Sequence, residues 1–438
     1  MHALYIHGRW HHGHMPPLLP RAPLTVAAAV LALSACANEP EAGKAPEPSP
    51  RPTASPTAGT SADTISPTQP TAEEQQRRDT RLIEAAWAND VGRARRLIRA
   101  GADVNHQDDT QQSAFLISTS EGYLDLLELT LRHGARIDDK DSFDGTGLIR
   151  AAERGHAAVV GRLIRAGIEH DHVNNLGWTA LHEAVVLGDG DARALETVRV
   201  LVAGGVDINV PSGRTGQTPR EHALDLGYGA IERTLAVAEQ SLARPDRALL
   251  EAAAGGDADM VARALRAGAD PEARDEARRT PLLLAVTDNR LEAARTLVHL
   301  GADPDALDDR HDTPWLVTGV TGSVPMAELL LTARPDLTIR NRFGGVSIIP
   351  ASERGHVAYV RRVARTGIDL DHVNNLGWTA LLEAVILGEG TRPWQDIVRI
   401  LLGHDADPAI ADADGVTALQ HARDRGFDEI ARMLARRG

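Results

Sequence analysis

The chain has 438 residues, a hydrophobic fraction of 42% with aromatics at only 3%, and a formal net charge of -14. The acidic balance excludes the basic stripe of a nucleic-acid binder, and the scarcity of rings points to a core of small, closely approaching helices rich in Ala, Leu and Val. Cys36 is the only cysteine, so the folded body has neither disulfides nor a cysteine-based metal site.

The first residues read as a targeting segment. Met1 to His14 carries His2, His7, His11, His12 and His14, a tract that could hold metal. A start at Met15 leaves a signal of ordinary length, and the histidines are given no function. Leu24 to Leu33, LTVAAAVLAL, is too short to span a bilayer but has the length of a signal-peptide h-region, with Arg21 before it. Leu33-Ser34-Ala35-Cys36 resembles the lipobox of bacterial lipoproteins, which makes residues 1–35 the signal peptide and Cys36 the lipid attachment point. Residues 36–78 then form a disordered, polyproline-biased tether, because a Pro, Thr and Ser-rich segment buries too little apolar surface to offset its ordering entropy.

From Asp79 onward the chain reads as helix pairs about 33 residues apart. Units begin at Gln112-Ser113, Thr146, Thr179, Thr218-Pro219, Thr280-Pro281, Thr313-Pro314, Val346-Ser347, Thr379 and Thr417. Thr or Ser supplies an N-cap oxygen, and Pro takes the first helical position, whose N–H has no partner in any case. The first helix is expected to stop at a left-handed glycine, Gly122, Gly155, Gly188 or Gly355, and the second at Gly101, Gly134, Gly268 or Gly301. Each pair is too thin to bury its own apolar face, so neighbours must stack.

A longer duplication is laid over the short one. Asp171 to Gly188, DHVNNLGWTALHEAVVLG, returns at Asp371 to Gly388 with 16 of 18 positions identical. A proline at Pro245 interrupts the pattern, and the sequence divides into blocks 79–244 and 245–438. Loops of about five extra residues follow Gly188 and Gly388, at Asp189 to Glu196 and Glu389 to Trp394.

The recurring TALHEAVVLG, ERGHAAVVGRLIRAG and RLIRAGADVNHQD resemble the ankyrin repeat consensus, with about eleven units, five in the first block and six in the second. The resemblance implies an all-α repeat solenoid with hairpin fingers. It departs from the consensus at Val346, which stands where the capping Thr is expected, and the histidine of that consensus survives only as His182 among the clean units.

Catalytic signatures are lacking: there is no GxSxG, GxxxxGK[ST] or HExxH, and Asp412-Ala413-Asp414-Gly415 is only a fragment of a calcium loop. No catalytic, metal or cofactor residue is assigned. The candidate partner-binding residues are the duplicated finger positions His172, Asn174, Asn175 and Trp178 with His372, Asn374, Asn375 and Trp378, and the loop residues Asp189, Glu389 and Trp394. Trp and Asn at a hairpin tip suit recognition, although the same residues serve turn chemistry and packing between fingers. Glu153-Arg154-Gly155-His156 and Glu353-Arg354-Gly355-His356 read as helix ends that hydrogen-bond between repeats.

The expected function is a non-enzymatic protein–protein interaction scaffold, monomeric, held by lipid on the extracytoplasmic side of the cell membrane, with a protein partner that carries a basic patch. An envelope accessory factor that stabilises or activates an exported enzyme is the alternative.

Overall fold

The computed structural model describes residues 70–437, so the signal segment, Cys36 and most of the tether lie outside the described residues. Among the described residues the regular structure is helical, with two isolated β-bridges, Lys140 to Thr146 and Ala411 to Thr417.

Eleven helix pairs follow one another. In the first block α1 (Ala72–Trp87) pairs with α2 (Val91–Arg99) and α3 (Ala114–Ser120) with α4 (Leu124–Arg132). Next come α5 (Gly147–Glu153) with α6 (Ala157–Arg165), α7 (Ala180–Val186) with α8 (Ala192–Ala203), and α9 (Pro219–Asp225) with α10 (Gly229–Ala238). The second block opens with α11 (Pro245–Gly255) and α12 (Ala258–Arg266), then α13 (Pro281–Thr287) with α14 (Leu291–His299) and α15 (Pro314–Thr321) with α16 (Val324–Thr332). It closes with α17 (Ile348–Glu353) and α18 (Val357–Val363), α19 (Ala380–Ile386) and α20 (Arg392–Gly403), and α21 (Ala418–Asp424) and α22 (Asp428–Ala435).

The start signals act as expected. Ser113, Thr146, Thr179, Thr218, Thr280, Thr313, Thr379 and Thr417 each accept the backbone N–H three residues on. Each such cap contributes about 1 kcal/mol. With Val346 in place of the capping Thr, Ser347 becomes the N-cap but makes no cap hydrogen bond, and its helix has only 6 residues. His182 completes a capping box: its Nδ1 accepts from the Thr179 N–H at 3.3 Å, and its Nε2 lies 3.3 Å from the Gln217 carbonyl of the next unit.

Three local expectations need correction. The first helix begins at Ala72, seven positions before Asp79, because Thr71 and Glu74 form a capping box at the end of the supposed tether. The left-handed residue after α7 is Gly190 (φ 65°) and not Gly188, with Gly390 (φ 69°) its counterpart after α19. The supposed inserted loops run into helix from Ala192 and from Arg392: α8 and α20 each run 12 residues where α6 has 9, so Trp394 is a helical residue.

The larger correction concerns contacts between the blocks. A simple stack touches only its neighbours, and within each block first helix does pack on first helix and second on second. Between α9 and α11 the stacking of first helices falls away, while α12 still packs on α10 and then also on α8. Beyond it α14 packs on both α8 and α6. The chain therefore folds back at Pro245, and the second helices of the two blocks interleave. Ala262 of α12 is fully buried within the core cluster of the first block, and Leu265 packs against it. Part-buried polar bonds tie the seam: Arg199 to Asp259 at 2.7 Å, Thr234 Oγ1 to Asp259 at 2.8 Å, and His299 Nε2 to Glu196 Oε1 at 2.6 Å.

Candidate functional site

Because the second helices meet at the seam, the first helices and fingers of each block are left on its outward side. The duplicated finger shows how that side is built. Asn174 Oδ1 accepts the N–H groups of Leu176 (3.0 Å) and Trp178 (3.1 Å), while its Nδ2 donates to Glu183 at 2.6 Å. Asn374 repeats this with Leu376, Trp378 and Glu383. His172 Nε2 bonds the Asp144 carbonyl at 2.7 Å and His372 Nε2 the Gly344 carbonyl at 2.6 Å, each tying its finger to the preceding one. The backbone N–H groups of Asn175 and Asn375 donate to the carbonyls of Phe143 and Phe343.

These partners divide the sequence candidates. His172, His372, Asn174 and Asn374 are engaged inside the fingers. Trp178 and Trp378 are half-buried, and Trp378 packs against the core of the second block. Trp394 is also half-buried, with its Nε1 donating to the Glu353 carbonyl at 2.9 Å. Asn175, Asn375, Asp189 and Glu389 are exposed. Helix-end histidines bridge repeats, with His156 Nε2 3.1 Å from the Ser120 carbonyl and His356 Nε2 3.2 Å from that of Val320.

Several of the side chains that face solvent around the duplicated finger are large and apolar, and the sequence reading passed over them. Phe143, Val173, Leu176 and Leu187 are exposed in the first block, and Phe343, Val373, Leu376 and Leu387 in the second. At the base of this fringe sits a buried carboxyl, Glu183 at 2% exposure and Glu383 at 5%. Burial, with Glu153 adding repulsion, pushes Glu183 up to about 7 despite the Asn174 bond. Burial and the nearby Glu353 do the same to Glu383, also to about 7. A glutamate on the inward side of a first helix is the signal that could have found them: it interrupts the apolar spacing in ALHEAVV and ALLEAVI.

In the second block the fringe encloses a groove of two adjoining hollows. One, of 610 Å³, runs from Ala277 and Arg279 to Glu353; the other, of 260 Å³, continues to Glu383 and Leu387. Asn341, Phe343, Pro350, Glu353 and Arg354 line both. Among the described residues no cluster of His, Cys, Asp and Glu could hold a metal ion. The arrangement offers an apolar-edged, acid-floored docking surface.

Stacked helix pairs, capped by Thr and joined by hydrogen-bonded fingers, define a repeat protein whose exposed face is a surface for binding. The ankyrin repeat family model matches residues 82–171, 115–212, 148–246, 249–341 and 351–438, and the chain belongs to the ankyrin repeat family. It is similar to the putative ankyrin repeat protein YahD of Escherichia coli, 38% identical over 190 residues, which are 43% of this chain and 94% of that protein. A transient receptor potential cation channel subfamily A member 1 homolog of Caenorhabditis elegans is 30% identical over 44% of this chain but only 16% of its own length. Among solved structures, an ankyrin repeat domain from Acinetobacter baumannii shares 45% identity over 43% of this chain and 97% of its own, with a TM-score of 0.42.

Proposed function

We propose that the protein is a non-enzymatic scaffold that binds a protein partner on its finger-and-first-helix faces, and that a lipid on Cys36 holds it on the extracytoplasmic side of a cell membrane. The observation that carries the binding role is the exposed apolar fringe of Phe343, Leu376 and Leu387 around the buried Glu383, with its counterpart around Glu183. Contiguous exposed apolar side chains over buried charge are unfavourable in an isolated protein and gain when a partner covers them. The anchor rests on the short apolar run, the small residues before Cys36 and the Pro-rich stretch after it.

Crosslinking and capture from intact membranes test the scaffold. A partner lost on substitution of Leu376 and Leu387 by Ser supports it, and capture that is indifferent to both substitutions overturns it. Cys36→Ser tests the anchor: the protein should leave the membrane for the soluble exported fraction with its melting behaviour unchanged. Retention on membranes after a high-salt wash would refute lipidation. An accessory role toward an exported enzyme predicts that deletion of the gene lowers one activity, whereas a scaffold predicts that it dissolves an assembly.

A further inference from the structure

The two blocks differ at one informative place. In the first block Arg150 of α5 reaches across the groove side: its Nε pairs with Asp141, and its Nη1 pairs with Glu153 at 2.9 Å. The guanidinium lies 5.1 Å from the centroid of the Phe143 ring, and its charge also acts favourably on Glu183. Asp141 and Glu153 of that block are therefore paired by a cation of the same chain, which acts on Glu183 through its charge alone.

Two hundred residues later the floor remains and the cation is gone. Pro350 stands where the first block has Arg150, and Asn341 where it has Asp141, while Glu353, Glu383 and Phe343 are retained. Pro350 sits in the first turn of its helix, where its missing N–H costs nothing, and its short ring leaves the two hollows open to each other. Glu383 lines the inner hollow, and only one of its carboxylate oxygens has a hydrogen bond among the described residues, that from Asn374 at 2.8 Å. Glu353 has a single cation near it, the exposed Arg354 at 3.4 Å. Burial and Glu353 raise the Glu383 carboxyl to about 7, as burial raises Glu183, against the Asn374 bond and the favourable charge of Arg354. Arg342 cannot supply it, since it lies over the Phe343 ring and pairs with Asp312 at 3.0 Å.

We propose that the groove of the second block binds an arginine side chain of the partner in the hollow lined by Glu353 and Glu383, set against Glu353 and the Phe343 ring as Arg150 is set against Glu153 and Phe143 in the first block, with apolar neighbours of that arginine covering Phe343, Leu376 and Leu387. The inference rests on the scaffold reading and adds the chemistry of the contact. Arginine is chosen over lysine because a planar guanidinium can bond two separate carboxylates and stack on a ring edge, whereas an ammonium is a compact, strongly hydrated point charge.

The test uses purified protein and a fluorescent, end-blocked Leu-Arg-Leu peptide, followed by anisotropy, with Leu-citrulline-Leu and Leu-Lys-Leu as controls. Wild-type protein should bind the arginine peptide at least tenfold more tightly than the citrulline peptide and several-fold more tightly than the lysine peptide. Glu383→Gln should remove most of that preference. Pro350→Arg, which gives the second block the side chain the first already accommodates, should abolish peptide binding with unchanged helicity. Equal binding of the arginine and citrulline peptides, or of the arginine and lysine peptides, overturns the proposal, as does full binding by a folded Pro350→Arg. Should Pro350→Arg not fold, Glu383→Gln decides alone. If the membrane partner is still captured by Glu383→Gln and the peptides show no preference, the arginine site is wrong and the scaffold stands. If wild-type protein captures no partner at all, the scaffold reading itself fails.

Discussion

Gly161 of α6 lies against the backbone carbonyl of His299 in α14, so close that a methyl group on Gly161 would fall 2.3 Å from that oxygen. The glycine permits two helices from different blocks to cross at near contact. At the equivalent position of the second block stands Arg361, which is exposed. We therefore expect Gly161→Leu to destabilise the protein by about 1–3 kcal/mol, the usual cost of forcing bulk into a packed contact, even though glycine is a poor helix former. Chemical denaturation followed by circular dichroism measures it, and an unchanged midpoint would contradict the crossing.

The shared core of the seam alters the expected unfolding. Independent blocks would part near Pro245 in separate steps, but Ala262 and Leu265 of the second block are packed into the core of the first. Calorimetry of the wild-type array should show α6, α8, α10, α12 and α14 melting together as one dominant transition. Gly161→Leu should split it in two.

Acid should loosen the seam. Burial alone would raise the Glu196 carboxyl, but the hydrogen bond and charge of His299, with Arg295 nearby, hold it below the ordinary range. A depressed acid stabilises the fold above its unfolded value and loses that contribution as pH falls through the folded one. Glu196→Gln should therefore be less stable than wild type at pH 7 by about 1–3 kcal/mol, and the gap should shrink as pH falls below the ordinary glutamate value of 4.5 and through the lowered one, as read from melting curves across pH.

Glu183 and Glu383 should behave oppositely. Each is raised from 4.5 to about 7, so its stabilising contribution is complete below 4.5 and is lost as pH rises through about 7. Glu183→Gln and Glu383→Gln, which keep the acceptor for Asn174 and Asn374, should each raise stability at pH 8 by about 1–2 kcal/mol, less than the full shift implies because groove water screens the charge. At pH 4 the variants and wild type should coincide. Variants that are less stable than wild type at pH 8 would rule this out.

Trp178→Ala and Trp378→Ala should lower the melting temperature, since each ring is half-buried in its finger, with a cost of about 2–3 kcal/mol, short of the value for a fully buried ring. Partner capture should fall only in proportion to the unfolded fraction. Trp394→Phe should cost about 1 kcal/mol through loss of the bond to the Glu353 carbonyl.

The local chemistry was legible because it is short-range. Thr179 caps a helix through an atom three residues away, and Gly301 turns a chain through its own φ of 90°, so both could be read from neighbours in sequence. The fold-back could not, because it depends on pairs such as Glu196 and His299, which are 103 residues apart, and on Gly161 facing a carbonyl of the other block. The glycine in AAVVGRLIR was the available sign, an unfavourable residue in mid-helix with no local reason to be there. At the site, the finger residues His172 and Asn174 drew attention because polar side chains at a turn suit either recognition or turn-building, and spacing alone cannot tell which. Glu183 and Glu383 were overlooked because an acid on a helix is ordinarily solvated, and only the packing of finger on helix buries them.

An open stack of repeats can gain or lose a unit at modest cost, since every internal joint is alike. A zipped array has lost that freedom. Deleting the pair α7–α8 or α9–α10 would slide the first block past the second by one step and put other residues where Gly161 meets His299 and where Arg199 meets Asp259. The number of repeats between α6 and Pro245 is thus held by register, as thread pitch holds a nut to its bolt, and length variation can be accommodated more readily toward α18, α20 and α22 beyond the end of the seam.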